Sequence, residues 1–244
     1  MARSDGWEMA SSEVVQTGDR EHLLGYVGSD LDLVQATLGI DESRRGIAYR
    51  RIVKPVFDRV FGVLLLLVLA PLFIVVMGLV RLTLGRGVFH RQRRVGKDDR
   101  VFDLYKFRTM APDRRRGEER FVGHDRRLTH KCEEDPRHTG VGRTLRKWSL
   151  DELPQLWNVV VGDMSLVGPR PELVSVVKKH DLWDHPRCLV RPGMTGLWQV
   201  SPDRGALLHE NLEYDTVYVS DMSFWKDIKI LARTPRAVFA REGR

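Results

Sequence analysis

The sequence predicts a membrane-associated α+β protein, in which one re-entrant, proline-broken membrane helix precedes a small cytoplasmic α/β domain with amphipathic helices at the membrane interface. Three observations lead to this fold class. An uncharged apolar run covers residues 60–80, apolar and polar residues alternate over 88–110, and apolar residues recur at helical spacing over 149–161 and 221–239. A chain of 244 residues is long enough to bury one domain and to carry an appendage.

The composition indicates phosphate-bearing partners and a reducing compartment. The chain has 40 Lys and Arg residues against 33 acidic ones, and its net charge of +7 suits nucleic acid, anionic lipid or a phosphorylated small substrate. Cys132 and Cys188 lack CxxC spacing, so neither a disulfide framework nor a zinc site is expected. Residues 1–13 contain no apolar core, and we therefore expect no signal peptide.

The apolar run at 60–80 has the length of a membrane segment. As a straight helix it would extend about 31 Å, close to the thickness of one hydrocarbon core. Pro71 lies near its middle, where it removes one helical hydrogen bond and favours a bend. Basic residues flank both ends: Arg44, Arg45, Arg50, Arg51, Lys54 and Arg59 precede the run, and Arg81, Arg86, Arg91, Arg93, Arg94 and Lys97 follow it.

These two basic flanks favour a helix that returns to the membrane face from which it entered. A spanning helix carries its positive charge mainly at one end, whereas both ends here prefer the anionic cytoplasmic leaflet. A re-entrant helix that bends at Pro71 satisfies both ends at once. A true span is the second alternative, and a buried soluble helix is the third, because helices in globular cores rarely stay apolar on every face.

The run divides the chain into a polar N-terminal extension of unknown role (1–49), the re-entrant helix (50–86) and the cytoplasmic domain (87–244). Further elements are predicted inside the domain: two strands around a turn at Gly96, Asp98 and Asp99, a mobile loop at 111–140, and helices at 149–161 and 174–179. The segment 221–239 has a membrane-surface pattern, although its apolar stripe is equally compatible with packing on the domain.

Two adjacent carboxylates, Asp151 and Glu152, stand out in this basic chain. Ser149 and Glu152 have the spacing of a capping box, so one interpretation makes the pair part of a helix start. A chemical interpretation is compatible with it. Arg146 and Lys147 should hold the pKa of Asp151 low, and an ionised carboxylate is a competent nucleophile toward phosphorus.

Attack of a carboxylate on a phosphate requires nearby cations, because like charges repel. Glu152 offers a hard oxygen ligand for Mg²⁺, while Arg146 and Arg170 offer forked donors that match phosphate geometry. Arg170 lies in the sequence GPRP, where Pro169 and Pro171 stiffen the backbone. The alternative for GPRP is an ordinary surface turn.

Three segments resemble the bacterial sugar transferases, the monotopic polyprenol-phosphate phosphoglycosyl transferases. They are LYKFRTM (104–110), GRTLRKWSLDELPQLWNVVVGDMSLVGPRPE (142–172) and RPGMTGLWQV (191–200). The likeness runs in order from residue 54 to residue 239 and leaves the N-terminal extension uncovered. It implies that the cytoplasmic domain at 87–244 is catalytic.

Enzymes of this family start the assembly of exopolysaccharides, O-antigens or glycoprotein glycans at the cytoplasmic face of the bacterial inner membrane. They move a sugar-1-phosphate from a nucleotide diphosphate sugar, usually a UDP-sugar, to undecaprenyl phosphate and use Mg²⁺. The resemblance implies the same donor, acceptor, cofactor and location for this chain. It also implies contact with anionic membrane lipid and no nucleic-acid partner, and it leaves a homodimer open.

The family's paired acidic residues match Asp151 and Glu152. By this resemblance, Asp151 attacks the β-phosphate to form an aspartyl phosphosugar, and Glu152 holds Mg²⁺. Arg146, Pro169 and Arg170 are implied to line the phosphate site.

Four further residues match the family pattern less directly. Lys106 and Arg108 are implied as additional anion contacts, and Arg191 as a nucleotide contact. Pro71 matches the break in the family's membrane helix. Ala70 departs from the pattern, because family members often carry a serine there, whose hydroxyl can satisfy freed backbone groups.

Two alternatives from other classes stay open at this point. The first is a membrane-anchored basic binding module, which the net charge suggests, and the second is an inactive relative that serves as a scaffold. Strong salt dependence without Mg²⁺-dependent turnover would identify the binding module. The sequence does not identify the sugar, the glycan pathway or the oligomeric state.

Overall fold

The computed structural model of the protein describes residues 44–111, 139–205 and 212–239. Most of the N-terminal extension and of the loop predicted at 111–140 lies outside the described residues. The helices are α1 (Arg44–Ala48), which continues through a π-helical turn (Tyr49–Val53) into α2 (Lys54–Leu84), then α3 (Gly140–Lys147), α4 (Gln155–Val161), α5 (Val174–His180), α6 (Glu213–Ser220) and α7 (Phe224–Phe239). The strands are β1 (Phe89–Val95), β2 (Val101–Phe107), β3 (Ser165–Val167), β4 (Glu172–Leu173) and β5 (Gly193–Thr195).

The predicted hairpin is confirmed. Strands β1 and β2 pair antiparallel, with His90 opposite Lys106, and β4 adds to the other edge of β1. The connecting turn places Asp98 and Asp99 at φ values of 53° and 54°, a region in which aspartate is tolerated. Because side chains alternate along a strand, Lys106 and Arg94 lie on the same face of this sheet.

Helix α2 contains the apolar run and remains helical through Pro71. The sequence predicts a break at this proline, but the helix continues, because a proline can be accommodated by a bend without ending a helix. Residues Gly46–Leu84 form the one helix in the described part of the chain that is long and apolar enough to cross a membrane. Only 11% of its most apolar window is buried by the protein.

Both ends of α2 contact the same domain. Near the start, the Asp58 carboxylate accepts hydrogen bonds from Ser165 Oγ at 2.7 Å and from the Leu166 amide at 3.2 Å. Near the end, Val80 is fully buried in a cluster with Phe107. Helix α2 is therefore fixed to the domain at two places along its length.

A group of buried polar side chains joins the start of α2 to the C-terminal helix. We call Tyr49, Lys54, Asp58, Tyr218 and Asp227 the buried polar joint. One oxygen of Asp227 accepts from Tyr49 Oη at 2.6 Å and from Lys54 Nζ at 2.5 Å, and its other oxygen accepts from Tyr218 Oη at 2.7 Å. These bonds connect residues that lie far apart in the sequence.

The C-terminal helix α7 packs on the domain, as one of the two interpretations of its apolar stripe expects. Asp227 and Ile230 are buried against the domain, whereas Trp225 is 70% exposed. Phe224 lies between these environments and stacks edge-on with Phe57 of α2. One side of α7 thus packs on the domain and another presents an aromatic residue outward.

Two predicted helices have different outcomes. The helix expected over 174–179 is confirmed as α5. The helix expected over 149–161 begins only at Gln155, and a separate 3-10 turn (Leu150–Glu152) precedes it. Pro154 separates the two pieces, because it has no amide hydrogen to donate to a continuous helix.

Candidate active site

Asp151 and Glu152 lie in the 3-10 turn between α3 and α4. The capping box predicted from Ser149 and Glu152 is wrong. Ser149 adopts a left-handed conformation with φ of 55°, and its side chain does not cap the turn. The Glu152 side chain contacts cations on neighbouring elements.

Glu152 pairs with two of the predicted phosphate-binding residues. Its Oε1 atom lies 2.7 Å from Lys106 Nζ on β2 and 3.4 Å from Arg170 Nη2 in the GPRP loop between β3 and β4. All three side chains are only partly buried. The fold thus gathers an acid and two bases from three separate segments at one partly open place.

Asp151 is more deeply placed than Glu152, with 7% of its surface exposed. Burial, followed by the neighbouring Glu152 charge, raises the pKa of Asp151 to about 6, although Lys106, Arg146 and Arg170 act in the opposite direction. The prediction of a lowered pKa is wrong, because removal of the carboxylate from water outweighs its attraction to nearby cations. With a pKa near 6, Asp151 is still mostly ionised at neutral pH.

Arg146 reaches the site from α3. Its Nε atom donates to the Gly142 carbonyl at 3.4 Å, and its charge is among the influences that favour the ionised form of Asp151. The start of α3 is fixed by the Thr139 hydroxyl, which accepts from the Gly142 amide at 3.0 Å. A side chain at Gly142 would collide with the Thr109 carbonyl, so a glycine is required for α3 to approach the segment that follows β2.

The GPRP loop is held by backbone contacts with the RPGMTG segment. The Gly168 amide donates to the Thr195 carbonyl at 2.9 Å, and the Gly193 amide donates to the Pro169 carbonyl at 2.8 Å. A Cβ atom on Gly168 would lie 2.5 Å from the Arg191 carbonyl oxygen. The two motifs therefore pack backbone to backbone, which places Arg191 next to the loop that carries Arg170.

A small cleft opens beside these groups. Arg94, Lys106, Gln155 and Arg170 supply its polar walls. The sequence analysis missed Arg94 and Gln155 as site residues. The period-two alternation of β1 and β2 would have revealed Arg94, because it places Arg94 on the same face as Lys106.

Two predicted residues lie elsewhere. Arg108 donates from its guanidinium to the Leu84 carbonyl at the end of α2, so the structure gives it a partner outside the carboxylate pair. Pro71 lies within the apolar helix. Lys106, Arg146, Asp151, Glu152 and Arg170 are the predicted residues whose charges act on one another at the site.

The acidic groups at the site are few for a metal centre made of protein alone. Within 44–111, 139–205 and 212–239 there is no cluster of three or more His, Cys, Asp or Glu side chains that could hold a metal ion. Mg²⁺ commonly binds through one or two carboxylates together with substrate phosphates. The Asp151 and Glu152 carboxylates fit that mode and do not fit a dedicated cage.

Comparison with known proteins shows several relatives with substantial similarity, among them the following three proteins. An exopolysaccharide production protein ExoY from Sinorhizobium fredii is 39% identical over 193 residues, which cover 77% of this chain and 85% of that protein. An undecaprenyl-phosphate galactose phosphotransferase from Salmonella typhimurium is 38% identical over 79% of this chain and 42% of its own length. A UDP-glucose:undecaprenyl-phosphate glucose-1-phosphate transferase from Escherichia coli is 35% identical over 75% of this chain and 39% of its own length.

The matched part of the chain includes the whole site. The sequence model of the bacterial sugar transferases matches residues 49–241, a range that contains α2, the carboxylate pair, the GPRP loop and the buried polar joint. The family expected from the three sequence segments is thereby confirmed. This chain belongs to the bacterial sugar transferase family.

Proposed function

We propose that this protein transfers a sugar-1-phosphate from a UDP-sugar to undecaprenyl phosphate and so starts the synthesis of an exopolysaccharide or a related glycan. The observation that carries the proposal is the buried Asp151 carboxylate beside Glu152, surrounded by the charges of Lys106, Arg146 and Arg170. The names of the two phosphotransferase relatives support the donor and acceptor classes.

In the first step, an Asp151 oxygen attacks the β-phosphorus of the donor. The bond between that phosphorus and the oxygen bridging to the α-phosphate breaks, UMP leaves with the bonding electrons, and an aspartyl phosphosugar remains. In the second step, an oxygen of undecaprenyl phosphate attacks the same phosphorus. The Asp151 carboxylate leaves, and undecaprenyl diphosphate sugar is the product.

The cationic residues have distinct tasks in this scheme. Arg170 and Lys106 bind the donor phosphates and compensate the charge that builds up as two anions approach each other. Arg146 faces Asp151 from α3 and stabilises the carboxylate when it leaves in the second step. Mg²⁺, held by Glu152 together with the donor phosphates, would supply further compensation of negative charge.

We further propose that α2 is re-entrant and that the domain lies at the cytoplasmic face of the bacterial inner membrane. A helix that crosses the bilayer delivers its ends to opposite faces, whereas both ends of α2 contact one domain. The exposed apolar surface of α2 and the exposed Trp225 support contact with lipid, and the basic flanks favour its anionic headgroups. Cysteines introduced near residues 50 and 90 should both resist labelling from the periplasm, and labelling of one end alone would show a span.

The donor and the reaction can be tested together by measuring UMP release. Purified protein in detergent, with Mg²⁺ and undecaprenyl phosphate, is offered a panel of UDP-sugars, and we expect release with at least one of them. Asp151→Asn should abolish release. Asp221→Asn is a matched control, since Asp221 is an exposed acid that pairs with Lys226. An active Asp151→Asn protein would refute the covalent step, and salt-sensitive lipid binding without any UMP release would favour a binding module.

The intermediate can be tested directly with a donor whose β-phosphate is radiolabelled. Without undecaprenyl phosphate, the label should stay on the wild-type protein and should be released when the acceptor lipid is added. The Asp151→Asn protein should remain unlabelled, while Asp221→Asn should label like the wild type. UMP release without any label on the protein would instead indicate direct transfer between the two substrates.

A further inference from the structure

Two arginines hold the backbone of the GPRP loop, Arg187 from a buried position and Arg94 from a partly buried one. The Arg170 carbonyl accepts a hydrogen bond from Arg187 Nη2, and the Pro171 carbonyl accepts one from Arg94 Nη1 at 2.9 Å. Arg187 comes from a 3-10 turn (Pro186–Leu189) and Arg94 from β1. Consecutive carbonyls of one short loop are thus fixed by cations from two distant elements.

Each of these arginines is itself paired with a buried acid. Arg187 Nη2 lies 3.1 Å from Asp215 Oδ2 on α6, and these side chains are 5% and 3% exposed. Arg94 Nη1 lies 3.9 Å from Glu172 Oε2 on β4. A buried charge is costly unless it is paired and hydrogen-bonded. The two acids therefore make it possible to keep two guanidinium groups under the loop.

The position of the two carbonyls determines where Arg170 points. They belong to the first and second peptide units after the Arg170 Cα atom, so fixing them limits rotation of the backbone that carries the side chain. Pro169 and Pro171 restrict the remaining freedom. The Arg170 guanidinium is thereby directed at the cleft and at Glu152, 3.4 Å away.

Arg94 also adds positive charge next to the cleft. Arg94 forms part of the cleft wall, and burial, followed by the charge of Arg170, lowers the pKa of Arg94 to about 10. Among the described residues, neither Arg94 Nε nor Arg187 Nη1 has a hydrogen-bond partner, although both atoms are buried. Within the described part of the chain, the Asp215 Oδ2 atom is likewise buried without a hydrogen bond, so Asp215 holds Arg187 through its charge.

We propose that Arg94 and Arg187 are positioning residues that act on the donor diphosphate through Arg170, with Glu172 and Asp215 holding them in place. This inference rests on the proposed function, because it assigns the phosphate contact to Arg170. It adds Arg94 and Arg187, which lie outside the GPRP motif, to the residues that determine phosphate binding. Side chains inside the domain thereby contribute to the phosphate site.

A double-mutant cycle distinguishes positioning from simple stabilisation. Asp215→Asn should lower kcat for UMP release about 10- to 100-fold in the wild-type background, because a small misplacement of a phosphate ligand is costly in the transition state. In the Arg170→Lys background the same change should lower kcat by about twofold or less, because the group it positions is already altered. Equal factors in the two backgrounds would overturn the proposal.

A second pair of variants covers the case in which Asp215→Asn does not fold. Arg94→Lys keeps one donor for the Pro171 carbonyl and should retain more activity than Arg94→Met. As with Asp215→Asn, the loss of kcat should be smaller in the Arg170→Lys background. Asp221→Asn serves as the control for loss of an ion pair. It should leave kcat unchanged in both the wild-type and the Arg170→Lys backgrounds. A fall in melting temperature with unchanged kcat in both Arg94 variants would indicate a structural role only.

Failure of this inference is separable from failure of the proposed function. If the wild type releases no UMP from any UDP-sugar in the panel, the proposed function is wrong and the inference falls with it. If the wild type is active and the effects of Asp215→Asn and Arg170→Lys multiply independently, only the positioning role is wrong. KM values measured in the same series show whether Arg170 acts mainly in donor binding or in the transition state.

Discussion

The carboxylate site and the buried polar joint contain the same kinds of side chain but differ in how their hydrogen bonds are completed. In the joint, both oxygens of Asp227 accept from donors within 2.7 Å. At the site, Glu152 shares one oxygen between Lys106 and a more distant Arg170, next to an open cleft. A cluster of charges is therefore not by itself the mark of an active site.

The two clusters differ in whether their charged groups can exchange one partner for another. A closed network inside the protein gains specificity and rigidity from fixed partners, and opening it leaves an uncompensated charge. The cations at the site are partly exposed and can leave Glu152 to bind a phosphate. We therefore expect substitutions in the joint to change stability and those at the site to change activity.

The largest effect should come from the site. Glu152→Gln keeps the shape of the side chain but removes its charge, and we expect it to lower kcat for UMP release about 1,000-fold, or about 4 kcal/mol in activation free energy. Its melting temperature should stay close to that of the wild type, because partly exposed ion pairs contribute little to stability. A variant that loses stability and keeps activity would reverse the assignment of the two clusters.

The next largest effect should come from the joint. Asp227→Ala leaves Lys54 buried without its nearest acid, and we expect a loss of about 3–5 kcal/mol in the free energy of unfolding. Activity per folded molecule should change little. Denaturant titration in detergent measures the first quantity, and UMP release normalised to folded protein measures the second. Asp221→Ala is the control, because Asp221 pairs with Lys226 at the surface.

The Arg187–Asp215 pair extends the comparison, because it tests whether a buried, ion-paired carboxylate still binds a proton as the pH falls. Burial raises the pKa of Asp215 to about 6, above its ordinary value, although Arg187 opposes the shift. Between about pH 4 and pH 6 the folded protein then binds a proton that the unfolded chain has released, so its stability rises as the pH falls through this window. As the pH is lowered through this range, the melting temperature of the wild type should rise relative to that of Asp215→Asn. Parallel curves of melting temperature against pH for the two proteins would contradict the raised pKa of Asp215.

The smallest effect should come from a single hydroxyl of the joint. Tyr49→Phe removes one of the donors to Asp227 Oδ2 and leaves Lys54 on the same oxygen. We expect a loss of about 1–2 kcal/mol in the free energy of unfolding. Tyr218→Phe should cost at least as much, because the Tyr218 hydroxyl contacts both Asp227 and the Val167 carbonyl. If neither variant changes the free energy of unfolding measurably, the hydrogen bonds to Asp227 contribute less to stability than their distances indicate.

Local patterns were sufficient to predict several elements of this fold. The hairpin follows from residues that alternate around the Gly96 turn, and α5 follows from the end of a rigid proline segment. The family motifs located the carboxylate pair and the GPRP loop. The hairpin and α5 are confirmed because each depends on residues that are neighbours in the sequence, whereas the roles of the carboxylate pair and the GPRP loop stay predictions.

Other features depend on contacts that no local pattern reveals. The left-handed conformation of Ser149 has no signal in the local sequence, and the raised pKa of Asp151 results mainly from burial in the folded domain. Arg187 was missed because its partners are a main-chain carbonyl and an acid on α6. The joint was missed because Tyr49 and Asp227 are separated by most of the domain.

In the proposed reaction, the attachment of α2 at two places determines whether the enzyme or the acceptor lipid has to move. Asp58 binds the strand that leads into the GPRP loop, and Val80 packs on the strand that carries Lys106. In the proposed function, a bilayer that anchors this helix would set the height of the cleft above the lipid headgroups. The acceptor lipid would then have to bring its phosphate up to that height, and the enzyme would need no hinge between the helix and the site.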